Sequence, residues 1–368
     1  MLINGKTYQT IWLEEKDKGV IKFINQNYLP FRFVEDELHT AEDSVMAISE
    51  MKVRGAPLIG VTAAFGIYLA ALETIDMANP REHIFSYANR LISTRPTAIN
   101  LRTAIARQLE AIKTTNNSTD LIRLTLKISL DILSEEKEKC RQIGLHGLPL
   151  IEKIALNKHG HPVHILTHCN AGWLACIDYG TATAPIYFAH DKGIPVHVWV
   201  DETRPRNQGS RLTAWELRQQ GVPHTIIVDN AGGYLMQAGM VDMVIVGTDR
   251  TTRSGYVTNK IGTYLKALAA SDNKVPFFVA LPSSSIDVNI IRPFDDIPIE
   301  ERDADEVRYV EGLANKQIIK VQIMESDSPV SNYGFDITPP QLITGLITER
   351  GICMASEEGL YGLFPEKF

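Results

Sequence analysis

The chain has 368 residues, 44% of them hydrophobic and 22% charged, a balance that supports a sizeable core and excludes wholesale disorder or a disulfide-stapled miniprotein. At about 100–200 residues per domain, this length allows two or three domains. Basic residues number 37 and acidic ones 44, a net charge of −7, which argues against bulk nucleic-acid or anionic-membrane binding and leaves room for a local basic pocket.

The segment Met1–Gly19 has no basic stretch followed by an apolar one, so no signal peptide is expected. No run approaches the roughly 20 apolar residues of a membrane helix. Residues 1–40 alternate apolar and polar in short runs, as in Thr10–Leu13 and Gly19–Phe23, and predict a small antiparallel β unit. From Thr40 to Glu138 the apolar spacing becomes helical, in Val45–Met51, Leu58–Leu72, Ile99–Ile112 and Leu121–Leu133. Pro80, Pro96 and the polar run 114–118 punctuate it. The first domain is therefore expected to be a β-capped helical unit of residues 1–138, ending at the charged run Glu135–Lys139.

Residues 139–368 are expected to form the second domain, because the rhythm there changes. Short apolar runs at Val163–Leu166, Pro195–Val200, His224–Val228, Val241–Val246 and Val275–Leu281 alternate with helix-length segments at Gly180–Lys192, Ser210–Gln220, Tyr234–Gly239 and Lys260–Ala270. Near-continuous apolar strands joined by helices predict an α/β fold: a doubly wound, mostly parallel, Rossmann-like sheet covered on both faces.

Such sheets bind ligands outside the carboxyl ends of their strands, near a topological switch point. The loops there are Thr167–Gly172, Asp201–Arg211, Asp229–Gly233, Gly247–Arg250 and Thr258–Gly262. No G-x-G-x-x-G follows a strand, and neither a P-loop nor a G-x-S-x-G elbow occurs, which removes support for dinucleotide, nucleotide-hydrolase and serine-hydrolase chemistry. The histidines 159, 161, 164 and 168 match no recognised ligand set, so no metal site is expected.

Cys169 lies between a strand end and a small-residue turn feeding a helix, where backbone N–H groups and the helix dipole could stabilise a thiolate; a buried inert thiol is the plain alternative. Cys176 reads as core, and the four cysteines (140, 169, 176 and 353) form no C-x-x-C pair, so a reducing, cytoplasmic setting is expected. Asp249 ends an apolar strand, where desolvation would raise its pKa and suit it to general acid work; a helix cap or a partner for Arg250 would explain it equally. Arg204, Arg206 and Arg211 in one loop, with Lys260 opening a helix, form a cationic set suited to a phosphate; solvated charge with salt bridges to Asp201 and Glu202 is the plain alternative. In Arg54-Gly55-Ala56-Pro57 a glycine beside an arginine could bring backbone close to an anion, as could any plain helix start.

Together these segments resemble the methylthioribose-1-phosphate isomerase family. The resemblance is carried by Val53–Gly60, Arg95–Leu101, Thr167–Gly172, Asp201–Leu217 (DETRPRNQGSRLTAWEL), Asn259–Tyr264, Asp296–Arg302 and Phe335–Pro339, in order along the chain. It implies a cofactor-free aldose–ketose isomerase of methionine salvage, typically a homodimer, acting on a sugar phosphate. It further implies that Cys169 and Asp249 are the catalytic pair, Asp249 as proton donor and Cys169 either as a base through an enol-type intermediate or as a charge stabiliser during a hydride shift, and that Arg54, Gly55, Ala56, Arg95, Gln208, Asn259 and Lys260 bind substrate. Ribose-1,5-bisphosphate isomerases and non-catalytic regulatory subunits of a eukaryotic guanine-nucleotide exchange factor share the superfamily. Thr248, Thr251, Leu281 and Ser285 depart from the family pattern, which raises 5-deoxyribose 1-phosphate as another substrate. The two threonine hydroxyls would also make the surroundings of Asp249 more polar.

Overall fold

The computed structural model describes residues 1–95, 98–290, 293–297 and 299–368; Pro96, Thr97 and Pro298 of the family-like segments lie outside the described residues. Residues 1–40 carry a short hairpin and a three-stranded antiparallel sheet of β1 (Ile11–Leu13), β2 (Ile21–Ile24) and β3 (Glu35–Leu38). Helices α1 (Ala41–Ser49), α2 (Ala56–Leu72), α3 (Pro80–Thr94), α4 (Ile99–Ile112) and α5 (Ser118–Leu156) follow.

The four expected helical runs fall inside α1, α2, α4 and α5, apart from the last residues of the first. Thr40 starts α1 with a capping box, accepting from the Asp43 amide while Asp43 accepts from the Thr40 amide. Helix α2 is apolar nearly all round and buried from Ala56 to Ala71, so α1, α3, α4 and α5 wrap it as the centre of the first core.

Helix α5 runs unbroken through the charged run 135–139. That run obeys helical rather than linker physics: Arg107 pairs with Glu135, Lys139 with Glu136, and Arg141 with Glu138.

The large sheet contains β4 (Val163–Thr167), β5 (Val196–Asp201), β6 (His224–Ile227), β7 (Met243–Val246), β10 (Phe277–Ala280), β15 (Gly345–Thr348) and β16 (Gly351–Cys353). Its spatial order is β16-β15-β10-β7-β4-β5-β6, parallel throughout except for the antiparallel edge strand β16. The intervening strands β8 (Arg250–Thr252), β9 (Val257–Lys260), β11 (Ile286–Asp287) and β14 (Phe335–Thr338) form a separate sheet ordered β11-β8-β9-β14. Strands β12 (Tyr309–Ala314) and β13 (Gln317–Gln322) pair as an antiparallel hairpin.

Each central strand alternates its side chains between two cores. Ile165, Val198 and Ile245 pack with α5 and α6 (Ala184–Asp191) on one face. Leu166, Val244 and Val279 pack with α8 (Ala231–Gln237) and α9 (Thr263–Asp272) on the other. Helix α7 (Ala214–Gln219) joins the first face and α10 (Glu357–Leu363) the second.

The strand order reverses between β4 and β7. The chain first winds outward through β5 and β6, then returns to the other side of β4 through β7, β10 and β15. This is the switch point at which open parallel sheets leave a crevice.

Candidate active site

Cys169 follows β4 and Asp249 follows β7, so the two residues flank that crevice. Both line one cavity, which encloses about 1090 Å3 including its mouth. Arg54, Gly55, Ala56, Arg95, Gln208, Asn259 and Lys260 line it too, so the fold gathers all nine sequence-indicated residues in one place.

Cys169 is held in a left-handed backbone conformation, φ 65°, which costs a non-glycine residue on the order of 1–3 kcal/mol. Its neighbours over-determine that shape: its N–H donates to Thr203 Oγ1 at 2.9 Å and its carbonyl accepts from Thr213 Oγ1 at 2.7 Å. The thiol donates to Gln208 Oε1 at 3.4 Å. Burial pushes the thiol above its ordinary pKa, opposed by the positive charges of Arg54 and Lys260.

The expectation of a dipole-stabilised thiolate is corrected here. The turn after Cys169 feeds only a three-residue 3-10 turn, Trp173–Ala175, and no α-helix begins before Ala184. Burial and the lack of an adjoining α-helix dipole both favour the thiol over the thiolate at Cys169.

Asp249 is partly accessible at the cavity wall. Desolvation raises its pKa, while Lys260, Arg95 and Arg54 pull it down. The Thr248 and Thr251 hydroxyls do not solvate this carboxyl. Thr248 Oγ1 accepts from the Arg250 amide and donates to the Arg250 and Thr258 carbonyls, and Thr251 Oγ1 turns to Thr248. Arg250 pairs with Asp287 at 3.3 Å, which leaves Asp249 for the cavity.

The cations come from separate elements. Arg54, in the turn before α2, gives its two terminal nitrogens to Asn170 Oδ1 and the Asn170 carbonyl, each at 2.8 Å. Lys260 lies 4.9 Å from the Phe335 ring centroid and is buried. It ends strand β9 instead of opening a helix, which corrects its expected setting, because the glycine Gly262 turns the chain before α9 starts at Thr263. Among the described residues Arg95 has only a long 3.8 Å pairing with Glu300, and its Nε and one terminal nitrogen are buried without a hydrogen-bond partner.

Arg54 and Lys260 have no ion pair among the described residues. Buried cations without an ion-pair partner are expensive, and such a charge distribution suits an anion. The amide end of α2 adds to it, since Gly55 and Ala56 present backbone at the start of a 17-residue helix. Gly55 sits at φ 102°, and a Cβ there would lie 2.4 Å from the Ala175 carbonyl oxygen, so this approach admits only glycine. Asn259 is fixed by its amide N–H to Thr263 Oγ1 at 3.0 Å.

The cluster Arg204, Arg206 and Arg211 does not line this cavity, and the expectation that it binds phosphate is corrected. Arg204 bonds the Pro205 and Val307 carbonyls, Arg206 pairs with Glu306, and Arg211 pairs with Glu311 and bonds the Asn27 and Leu29 carbonyls. Those three arginines hold the segment around β12 against the rest of the chain.

Sequence reasoning missed Arg302 as a wall of the cavity, where it reaches Glu300, Glu306 and the Met51 sulfur. Its place at the end of Asp296–Arg302 was the available signal. Cys176 is buried beside Cys140, as expected of core, and also reaches the cavity wall.

Among the described residues, His168, Asp201 and Asp229 have ligand atoms close enough to share a metal ion. The Lys266 ammonium already sits among them, 3.1 Å from Asp201 Oδ2 and bonded to the Asp229 carbonyl. No helix of the described residues is long and apolar enough to cross a membrane.

The Initiation factor 2 subunit family matches residues 52–355. The chain is 57% identical over 367 residues to the methylthioribose-1-phosphate isomerase of Desulfatibacillum aliphaticivorans, covering 100% of each chain. It superposes on the crystal structure of 5-methylthioribose 1-phosphate isomerase from Pyrococcus horikoshii OT3 with a TM-score of 0.83 at 36% identity, covering 98% of this chain and 97% of that one. The structure described as translation initiation factor eIF-2B, subunit delta, from A. fulgidus gives 0.79 at 36% identity, covering 98% and 100%.

Proposed function

Because this chain belongs to the initiation factor 2 subunit family and, within it, to the methylthioribose-1-phosphate isomerases, we infer that it converts 5-methylthioribose 1-phosphate into 5-methylthioribulose 1-phosphate in methionine salvage. The observation that carries the site assignment is the placing of Asp249 and Cys169 across the switch-point crevice, beside Arg54 and Lys260, which have no ion pair among the described residues.

The substrate's anomeric oxygen carries phosphate, so its ring does not open to a free aldehyde as an ordinary aldose does. Arg54, Arg95 and Lys260, with the Gly55–Ala56 backbone, hold the phosphate; Gln208 and Asn259 orient the sugar. Asp249, whose protonated form desolvation favours, gives its proton to the ring oxygen as the C1–ring oxygen bond breaks. The positive charge left at C1 is shared with the oxygen that bears the phosphate.

Hydrogen then moves with its electron pair from C2 to C1. The C2 hydroxyl becomes the ketone, and its proton returns to the Asp249 carboxylate. No electron acceptor from outside the substrate is required, so the reaction balances without a cofactor. Burial favours the thiol over the thiolate at Cys169, and the protonated thiol is not a general base, which supports Cys169 as the group that stabilises charge beside C1–C2. The buried walls keep water from the intermediate.

The same reading divides the chain near residue 138 into a β-capped helical part and a doubly wound, Rossmann-like part, with the site between them. It also places the protein in the cytoplasm as a homodimer. Exposed Ile226, Val228 and Tyr234, at the β6 edge and on α8, support self-association there.

Turnover of 5-methylthioribose 1-phosphate, 5-deoxyribose 1-phosphate and ribose 1,5-bisphosphate, measured side by side by NMR, tests the substrate. The methylthio sugar is expected to give the highest kcat/KM; a preference for either of the others reassigns the substrate. A purified chain that isomerises none of them and binds a translation factor would select the regulatory-subunit reading.

A further inference from the structure

We infer that Glu216 is a positioning residue for this reaction: acting through Asn170, it fixes the direction in which Arg54 faces the substrate's phosphate. The inference rests on the reading above that Arg54 binds that phosphate.

Glu216 lies on α7, completely buried, and is not among the residues lining the cavity. Its Oε1 accepts from Asn170 Nδ2 and the Leu174 amide, both at 2.9 Å. Its Oε2 accepts from the Trp173 amide at 3.0 Å and the Tyr187 hydroxyl at 3.2 Å. Four donors converge on one side chain, an arrangement that suits the acceptor-only ionised form.

The loop is folded around this carboxylate. A Cβ on Gly172 would lie 1.7 Å from Glu216 Oε2, so only glycine lets the chain pass. Burial pushes the carboxyl up to about 7, even though Asn170, Leu174, Tyr187 and Arg54 all favour its charged form. Two loop amides could be capped by a neutral side chain at less expense.

Asn170 explains what the charge does. One N–H of its amide goes to Glu216 and the other contact of that nitrogen goes to Thr213 Oγ1 at 3.1 Å. With the nitrogen committed, Oδ1 turns to Arg54 and accepts at 2.8 Å, and the Asn170 carbonyl accepts the second guanidinium nitrogen. Reversing the amide would set oxygen against carboxylate and NH2 against guanidinium, so the ionised Glu216 selects one orientation. A neutral glutamine at position 216 lacks that selectivity, and Arg54 loses its fixed direction. Asn170 also follows Cys169 directly in the chain, so the same network braces the strained turn that carries the thiol.

The test uses Glu216→Gln, Arg54→Lys, their double variant and Asn170→Ala, with kcat and KM for 5-methylthioribose 1-phosphate and thermal unfolding of each. A lost charge-assisted contact corresponds to about tenfold or more in affinity. Glu216→Gln and Arg54→Lys are each expected to raise KM about tenfold, and the double variant no further than the larger single effect. Asn170→Ala, which leaves three of the Glu216 donors in place, is expected to raise KM alike and decides the matter if Glu216→Gln does not fold. An unchanged KM in the folded Glu216→Gln or Asn170→Ala variant, or effects of Glu216→Gln and Arg54→Lys that multiply, overturns the inference while leaving Arg54 as a phosphate ligand. An unchanged KM in Arg54→Lys overturns both the Arg54 assignment and this inference.

Discussion

The Cys169 thiol points its hydrogen at Gln208 Oε1, 3.4 Å away, across a loop held by Thr203 and Thr213. A thiol so engaged leaves its lone pairs to face the cavity while the proton is occupied. Replacing Cys169 by Ala is expected to lower kcat by roughly 10²–10⁴ with substrate still bound, as for loss of a group acting on the transition state. Substrate deuterated at C2 should give product that keeps the deuterium at C1, read by mass spectrometry. Washout of the label into water would instead assign Cys169 the role of a base acting through an enol.

Asp249→Asn is expected to abolish turnover, a loss of about 10²–10⁴ or more, while calorimetry still detects substrate binding; a near-normal kcat removes the acid assignment. An acid that works protonated loses activity as pH rises through its pKa, and this is the expected behaviour if Asp249 is that acid. Lys260 is the strongest charge lowering that pKa. Lys260→Met therefore moves the alkaline limb of the kcat profile to higher pH, although it also weakens binding. A limb that stays in place, or moves down, would detach it from Asp249.

Gly55→Ala meets two obstacles at once, a φ of 102° and a carbonyl oxygen 2.4 Å from the new Cβ. The backbone term alone is worth on the order of 1–3 kcal/mol. Denaturant unfolding should show at least that loss, and the displaced backbone should raise KM for the sugar phosphate. A variant as stable as the parent would mean that the turn relaxes freely.

His164 and His197 pair across β4 and β5, with ring centroids 5.3 Å apart. Burial lowers both pKa values from 6.5, reinforced at His197 by His164 and His224 and opposed at His164 by Asp242. The unfolded chain then binds more protons than the folded one just below pH 6.5, so this pair favours folding less as pH falls through that value. The stability of the parent relative to His197→Gln should decline between pH 7.5 and 5.5; a constant difference would show that the pair does not titrate on unfolding.

Much of this arrangement was legible in the sequence, for physical reasons that differ by region. Met243–Val246 and Phe277–Ala280 are apolar at every position, which only a strand covered on both faces requires. Cys169 and Asp249 could then be placed at strand ends by the switch-point rule alone. Lys260 was misplaced because Val257–Lys260 pairs with Arg250–Thr252 and Phe335–Thr338, a sheet whose distant partner leaves no local trace. Arg204, Arg206 and Arg211 were misread for a related reason: Glu306 and Glu311, which neutralise two of them, lie about a hundred residues downstream. Glu216 gave no signal beyond its position in an apolar helix, since its four donors converge only when the loop after Cys169 folds over it.

Helix α5 is 39 residues long, about 58 Å at 1.5 Å per residue. Leu121 and Ile132 anchor its first half in the helical core, and Ile143 and Ile151 anchor its second half in the sheet core. A single rod embedded at both ends acts as a beam between the two walls of the cleft. Swinging one wall of the cleft against the other would have to bend this rod and strain its helical hydrogen bonds. For the same reason, neither half can be exchanged for that of a relative without matching the register of the beam.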